Sequence, residues 1–62
     1  MRYNIGDTIR ILWMADEPRV NDYINRQGII TSIDSLGQLH GTWGGLALIP
    51  EVDDILLIRR GE

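Results

Sequence analysis

The sequence predicts an all-β fold, a small five-stranded barrel, and three observations support this prediction. Short runs of aliphatic and β-branched residues are separated by turns that contain Gly, Pro, Asp or Asn. No long stretch keeps the apolar spacing of an amphipathic helix. The chain has only 62 residues, and a chain of this size has one core at most. We therefore expect residues 1–62 to form a single domain.

The first predicted strand is Thr8–Met14, and its alternation allows two arrangements. In one arrangement the odd-numbered residues face the core, including Trp13. In the other, a bulge at Ile11–Leu12 turns Leu12 and Met14 inward and Trp13 outward. The pattern favours neither arrangement over the other.

A long polar segment, Ala15–Gln27, follows the first strand and is interrupted by Pro18. Its apolar residues Val20, Tyr23 and Ile24 are spaced to anchor one short turn of helix against the barrel. Loops of this length are uncommon in compact domains and often carry function. A plain connector and a binding loop both remain open interpretations.

The rest of the chain divides into four more strands joined by short turns. The predicted strands are Gly28–Ile33, Gln38–Trp43, Leu46–Ile49 and Asp54–Arg59. The predicted turns are Asp34–Gly37, Gly44–Gly45 and a single 3₁₀ turn at Pro50–Asp53, and the tail 60–62 is expected to fray. Five short strands with a long first loop and a 3₁₀ turn before the last strand are typical of an SH3-like barrel, whose closure removes exposed sheet edges.

The last strand carries an apolar run that has no polar face. Ile55–Ile58 is apolar at four successive positions, so that one side of the strand has hydrophobic residues turned away from the core. If Leu56 and Ile58 face outward, they need a partner chain, since exposed apolar strands promote aggregation.

Four ordered motifs cover nearly the whole chain, roughly Gly6 to Ile58. They are Gly6-Asp7-x-Ile9-Arg10-Ile11-Leu12-x-Met14, Asp16-Glu17-Pro18, Gly28-x-Ile30-x-x-Ile33-Asp34-x-x-Gly37-Gln38-Leu39-His40 and Trp43-x-Gly45-x-x-Leu48-x-Pro50-x-x-Asp53. Together these motifs resemble a small domain family of unknown function from Gram-positive bacteria and their phages and mobile elements. The resemblance implies an SH3-like barrel and no established activity.

One position departs from that family. Gly41 stands where the family usually has a β-branched residue such as Val. A missing core side chain leaves a hole unless a neighbour fills it. Trp13, at a position that is usually small or polar in the family, is the candidate, and we expect it to pack over Gly41.

The residue types needed for catalysis and for metal binding are nearly absent. The chain has no Cys and one His, which excludes thiolate chemistry and Cys-based zinc sites. His40 is expected to have a surface or hydrogen-bonded structural role. The acidic residues Glu51, Asp53 and Asp54 lack the spacing of a calcium loop and are expected to cap the turn. We therefore predict no enzyme activity, no cofactor and no metal.

Length and apolar spacing also bear on location. No apolar run approaches the roughly 20 residues that span a bilayer, and the N-terminal residues lack the apolar core of a signal peptide. The sequence therefore predicts a cytoplasmic protein with no membrane segment.

A small non-enzymatic binding module is the function that the sequence favours, with an unidentified protein as partner and self-association as a further option. Aromatic and Arg side chains dominate the energetics of shallow interfaces. The expected surface is the long loop, through Tyr23 and Arg26, together with Trp13 if that side chain is exposed.

Nucleic-acid binding is the alternative function. All six basic residues are Arg, and four of them are predicted to share a face because the first and last strands pair in such barrels. These are Arg10, Arg26, Arg59 and Arg60. The net charge of −3 disfavours this alternative, since contacts to phosphate dominate nucleic-acid affinity.

Overall fold

A computed structural model describes residues 3–15 and 17–61 and shows five antiparallel strands and a single turn of α-helix. The elements are β1 (Thr8–Trp13), α1 (Val20–Tyr23), β2 (Gln27–Ile33), β3 (Leu39–Gly41), β4 (Gly44–Leu48) and β5 (Asp54–Arg59). The all-β prediction is confirmed, and so is the short helical turn in the long loop. None of the described helices has the length and apolar character needed to traverse a bilayer.

The strands form one sheet in the order β4-β3-β2-β1-β5. The central strand β2 serves both halves of this sheet. Its first residues, Gln27–Ile29, pair with β1, and its later residues, Ile30–Ile33, pair with β3. The order has two ends, β4 and β5, so the barrel closure expected from the sequence stays a prediction.

Alternate residues of the strands build the core. Ile9, Ile11, Ile30, Leu39 and Leu48 are at most 1% exposed. Because side chains alternate between the faces of a strand, one aliphatic set from four strands points to a shared interior. Burial of such side chains stabilises the fold by about 1.5–3 kcal/mol each.

β1 contains the predicted bulge, with one difference. The register against β5 shifts between Ile11 and Trp13. Met14 is buried and Trp13 is 49% exposed, as the bulged arrangement requires. Leu12 is not buried as predicted but 43% exposed, because the extra residue leaves both Leu12 and Trp13 on the solvent side.

The β3–β4 turn lies two residues earlier than predicted. It consists of Thr42 and Trp43, while Gly41 and Gly44 pair across it. Gly44 has φ +142° and begins β4 rather than forming the turn with Gly45. Tertiary bonds fix this placement, since the Thr42 amide donates to the Ile29 carbonyl and Thr42 Oγ1 accepts from the Ile29 amide.

Trp43, not Trp13, fills the space over Gly41. A Cβ on Gly41 would lie closer than 3.0 Å to ring carbons of Trp43, and one on Gly28 would lie 3.1 Å from Trp43 Cε3. The indole therefore packs against two glycines on neighbouring strands. Its Nε1 donates to the Leu46 carbonyl at 2.7 Å. The predicted packing of Trp13 over Gly41 is wrong, because β1 turns that side chain to solvent.

The turn before β5 is hydrogen-bonded but does not form a 3₁₀ helix. The amides of Val52 and Asp53 both donate to the Ile49 carbonyl, at 3.0 and 2.8 Å. The buried Asp53 carboxylate accepts from the Ile49 amide and from the Ala15 amide, each at 2.8 Å. This carboxylate caps the turn, as predicted, and also ties it to the segment after β1.

Candidate binding surface

Three adjacent strands present a partly apolar face to solvent. On β2, β1 and β5 the residues that alternate with the core set point outward, and we call this surface the outer face. Four aliphatic side chains on it are 40–47% exposed. They are Leu12, Ile29, Leu56 and Ile58. These exposed aliphatic residues on adjacent strands make the outer face the candidate binding surface.

Arg10 lies at the centre of the outer face. Its neighbours across the sheet are Gln27 on β2 and Leu56 on β5. Arg10 Nη2 donates to Gln27 Oε1 at 2.9 Å, which orients the guanidinium across the strands. The residue as a whole is half-buried, while its hydrogen bond to Gln27 is exposed to solvent.

Trp13 and Arg59 stand near the limits of this surface. Trp13 is exposed at the end of β1, opposite Asp54. Arg59 is exposed at the end of β5, opposite Thr8. Of the predicted site residues, Arg10, Trp13 and Arg59 are therefore brought to one side of the sheet.

Tyr23 and Arg26 instead hold the long loop in place. The Arg26 guanidinium carbon lies 4.5 Å from the centroid of the Tyr23 ring, and Nη1 donates to the Trp43 carbonyl at 2.8 Å. Tyr23 is 9% exposed and packs against Gly44. A cation–π contact combined with a hydrogen bond to the β3–β4 turn gives this pair a structural role. Tyr23 is therefore largely buried, whereas Arg26 stays exposed, and a role of Arg26 in binding stays a prediction.

Arg60 is directed to a buried carboxylate. Its Nη1 lies 3.4 Å from Asp7 Oδ2. The other partners of Asp7 are the Gly61 amide, which donates to Oδ1 at 2.7 Å, and the Asn4 amide, which donates to Oδ2 at 2.9 Å. Asp7 thus joins both ends of the described chain. The predicted fraying of the tail is wrong for Arg60 and Gly61, while Glu62 lies outside the described residues.

The single histidine makes the structural hydrogen bond expected of it. His40 Nε2 lies 2.9 Å from Asp34 Oδ2. The other oxygen of Asp34 accepts from the amides of Leu36 and Gln38 and closes the β2–β3 turn. The His40 side chain and these amides hold the pKa of Asp34 below its ordinary value of 3.8.

Asp7 makes the stability of the domain sensitive to acid. The Gly61 and Asn4 amides, with a smaller contribution from Arg60, hold the pKa of Asp7 below 3.8. Because the pKa of Asp7 is lower in the folded state, the unfolded chain binds a proton at this residue at a higher pH than the folded chain does. The ionised Asp7 carboxylate therefore contributes fully to stability above pH 3.8, and this contribution is lost as the pH falls through the folded-state pKa. We expect urea unfolding to show a stability that falls steeply below about pH 4, and Asp7→Asn to be less stable at pH 7 with a shallower acid dependence.

The matched control for this prediction is Asp22→Asn, on the exposed side of α1. It should keep both the neutral stability and the acid dependence of the parent chain. Equal acid profiles for Asp7→Asn and the parent would contradict the role given to Asp7.

Only part of this surface is predictable from the sequence. The sequence predicts Arg10 as a site residue and indicates that Leu56 and Ile58 need a partner if they face outward. It does not predict Ile29 and Gln27, whose place opposite the buried Ile30 follows from the register of β2 with β1. Gln27 carried no signal of its own, because its role depends on the pairing with Arg10.

Across residues 3–15 and 17–61, no cluster of three His, Asp or Glu side chains has an arrangement able to hold a metal ion. No family model, no curated protein and no solved structure matches this chain. The likeness to the domain family from Gram-positive bacteria and phages stays a prediction.

Proposed function

We propose that the chain is an SH3-like barrel. Three features support this assignment: the strand order β4-β3-β2-β1-β5, the sharing of β2 between two halves of the sheet, and the long loop between β1 and β2. A tight hydrogen-bonded turn precedes β5. In a fold of this size the strands and their side chains use up the interior, and ligands are met by the surface.

We propose that this domain is a non-enzymatic module that binds another protein through the outer face. The observation that carries the proposal is the exposure of Leu12, Ile29, Leu56 and Ile58 on three adjacent strands. Removing such side chains from water favours association in proportion to their apolar area. An aliphatic surface around a central Arg is a common composition for a protein interface.

The area of the outer face suits a short segment of a partner better than a second copy of the chain. Burial of a whole aliphatic side chain contributes about 3 kcal/mol, and burial of apolar surface contributes about 25 cal/mol/Å². A fully exposed aliphatic side chain therefore presents roughly 120 Å² of apolar area. Four such residues at less than half exposure offer about 200 Å². A standard stable interface buries about 800 Å² from each partner, of which a little more than half, roughly 450 Å², is apolar. We therefore favour a segment of another protein over self-association.

Nucleic-acid binding is less well supported by the placement of the Arg residues. Arg10 and Arg59 lie on the side of the outer face, but Arg26 bonds to the β3–β4 turn and Arg60 to Asp7. Among the described residues of this side of the sheet, two cations on a chain of net charge −3 would neutralise few phosphates. We expect no binding of single- or double-stranded oligonucleotides at moderate salt.

The proposed function can be tested by selection from a displayed library of random peptides, each about twelve residues long. We expect selection against the intact domain to enrich binders, and two-dimensional amide NMR spectra to show shifts confined to the outer-face strands. The double variant Leu56→Thr with Ile29→Thr should lose at least about tenfold in affinity, since it removes about 1.5 kcal/mol or more of apolar burial. Thr is chosen because it keeps a high β-propensity.

Leu36→Thr is the matched control. Leu36 is 79% exposed, more than any of the four aliphatic side chains of the outer face, but it lies in the β2–β3 turn. Its replacement should leave peptide binding unchanged. Peptides that bind the double variant and the parent equally would place the interaction elsewhere and overturn the proposal.

A further inference from the structure

We propose that the partner segment carries a carboxylate that binds Arg10, with aliphatic side chains on either side of it; this inference rests on the proposed function. The recognised chemistry is an Asp or Glu within an apolar peptide. The central Arg would determine specificity, while Leu56, Ile29 and the other aliphatic residues of the outer face supply contact area.

The first support is the position of Arg10. It pairs with Leu56 on one side and Gln27 on the other, and Thr8, two residues away on the same face, pairs with Ile29. The guanidinium therefore lies among the exposed aliphatic side chains rather than at the rim. A bound partner would cover this position, and a charge-assisted bond at the centre of an interface is stronger than one at its rim.

The second support is that no carboxylate of the described residues forms an ion pair with Arg10. In the described part of the chain, the ion pairs join Arg19 to Glu17, His40 to Asp34 and Arg60 to Asp7. No carboxylate lies within 4 Å of Arg10 in that part, although the chain carries nine acidic residues. The hydrogen bond of Arg10 to the neutral Gln27 leaves the charge of the guanidinium uncompensated, and an acidic group of a partner would complement it.

The third support is the bond from Arg10 to Gln27. Gln27 Oε1 accepts from Nη2 at 2.9 Å, which restricts the rotation of the guanidinium without neutralising its charge. An oriented guanidinium can bind a carboxylate through two parallel N–H donors. The planar fork of one guanidinium matches the two oxygens of one carboxylate.

The test compares Arg10→Met, Arg10→Lys and the parent chain against peptides selected on the parent. We expect the selected peptides to share an Asp or Glu next to aliphatic residues. Replacing that residue by Asn or Gln, or Arg10 by Met, should weaken binding by at least about tenfold, the scale of a charge-assisted hydrogen bond. Arg10→Lys should recover only part of the affinity, because Lys keeps the charge but not the paired donors.

Arg19→Met is the matched control, since Arg19 is an exposed Arg of the long loop paired with Glu17. It should bind the peptides as the parent does. Peptides without acidic residues that bind the parent and Arg10→Met equally, but lose binding with Leu56→Thr and Ile29→Thr, would overturn this inference and leave the proposed function intact. Failure to select any peptide, or a domain that dimerises through the outer face in sedimentation experiments, would overturn both.

Discussion

Replacing Gly41 by Ala is expected to remove most of the stability of this domain. A Cβ at this position would lie closer than 3.0 Å to the Ile29 carbonyl oxygen and to the indole of Trp43. The backbone of β2 lies on one side and a buried ring on the other, so neither neighbour can give way cheaply. Overpacking of this kind costs about 3 kcal/mol or more. A domain of this length has roughly 3–9 kcal/mol of stability in total.

Gly45→Ala is the matched control for this substitution. Gly45 lies on β4, and a Cβ added there would meet no atom within 4 Å. It should be neutral or stabilising by up to about 1 kcal/mol, since Ala reduces the entropy of the unfolded chain. Urea unfolding at neutral pH followed by circular dichroism measures both variants. Similar midpoints for the two would show that Gly41 has more room than its neighbours indicate.

The strands of this protein are predictable from the sequence because burial selects alternate residues. Ile9 and Ile11 illustrate this, since only the polar Arg10 separates them in the sequence and both are completely buried. The β3–β4 turn is not predictable in the same way. Gly44 and Gly45 have the local preference for a turn, but contacts of Thr42 and Trp43 with distant strands decide where the chain reverses.

The residues of the candidate site also divide into those that the sequence predicts and those that depend on tertiary contacts. Arg10 is visible in the sequence as an Arg on the polar side of a strand. Tyr23 and Arg26 look like binding residues because an aromatic residue and an Arg in a long loop are common anchors, yet in the structure they pack on each other. Ile29 was missed because two adjacent Ile residues give no parity until the register with β1 is known. Pairing between strands, which is not local, supplies that information.

The two tryptophans allow the same substitution to be compared at a buried and at an exposed site. Trp43 is 2% exposed, lies against Gly28 and Gly41, and donates a hydrogen bond to the Leu46 carbonyl. Trp43→Ala would leave a large cavity beside two residues that have no side chain to fill it. We expect a loss of about 3–5 kcal/mol, enough to unfold much of the population at room temperature.

Trp13→Ala removes an identical side chain that is 49% exposed, and it should cost about 1 kcal/mol or less. Circular dichroism in urea compares the stabilities, and Trp13→Phe, which leaves Trp43 as the sole indole, should show emission protected from acrylamide. If Trp13→Ala were the more destabilising variant, this result would indicate that Trp13 rather than Trp43 fills the space over Gly41. β1 would then alternate without the bulge, with Trp13 facing the core, and Leu12 would stay on the outer face beside Arg10.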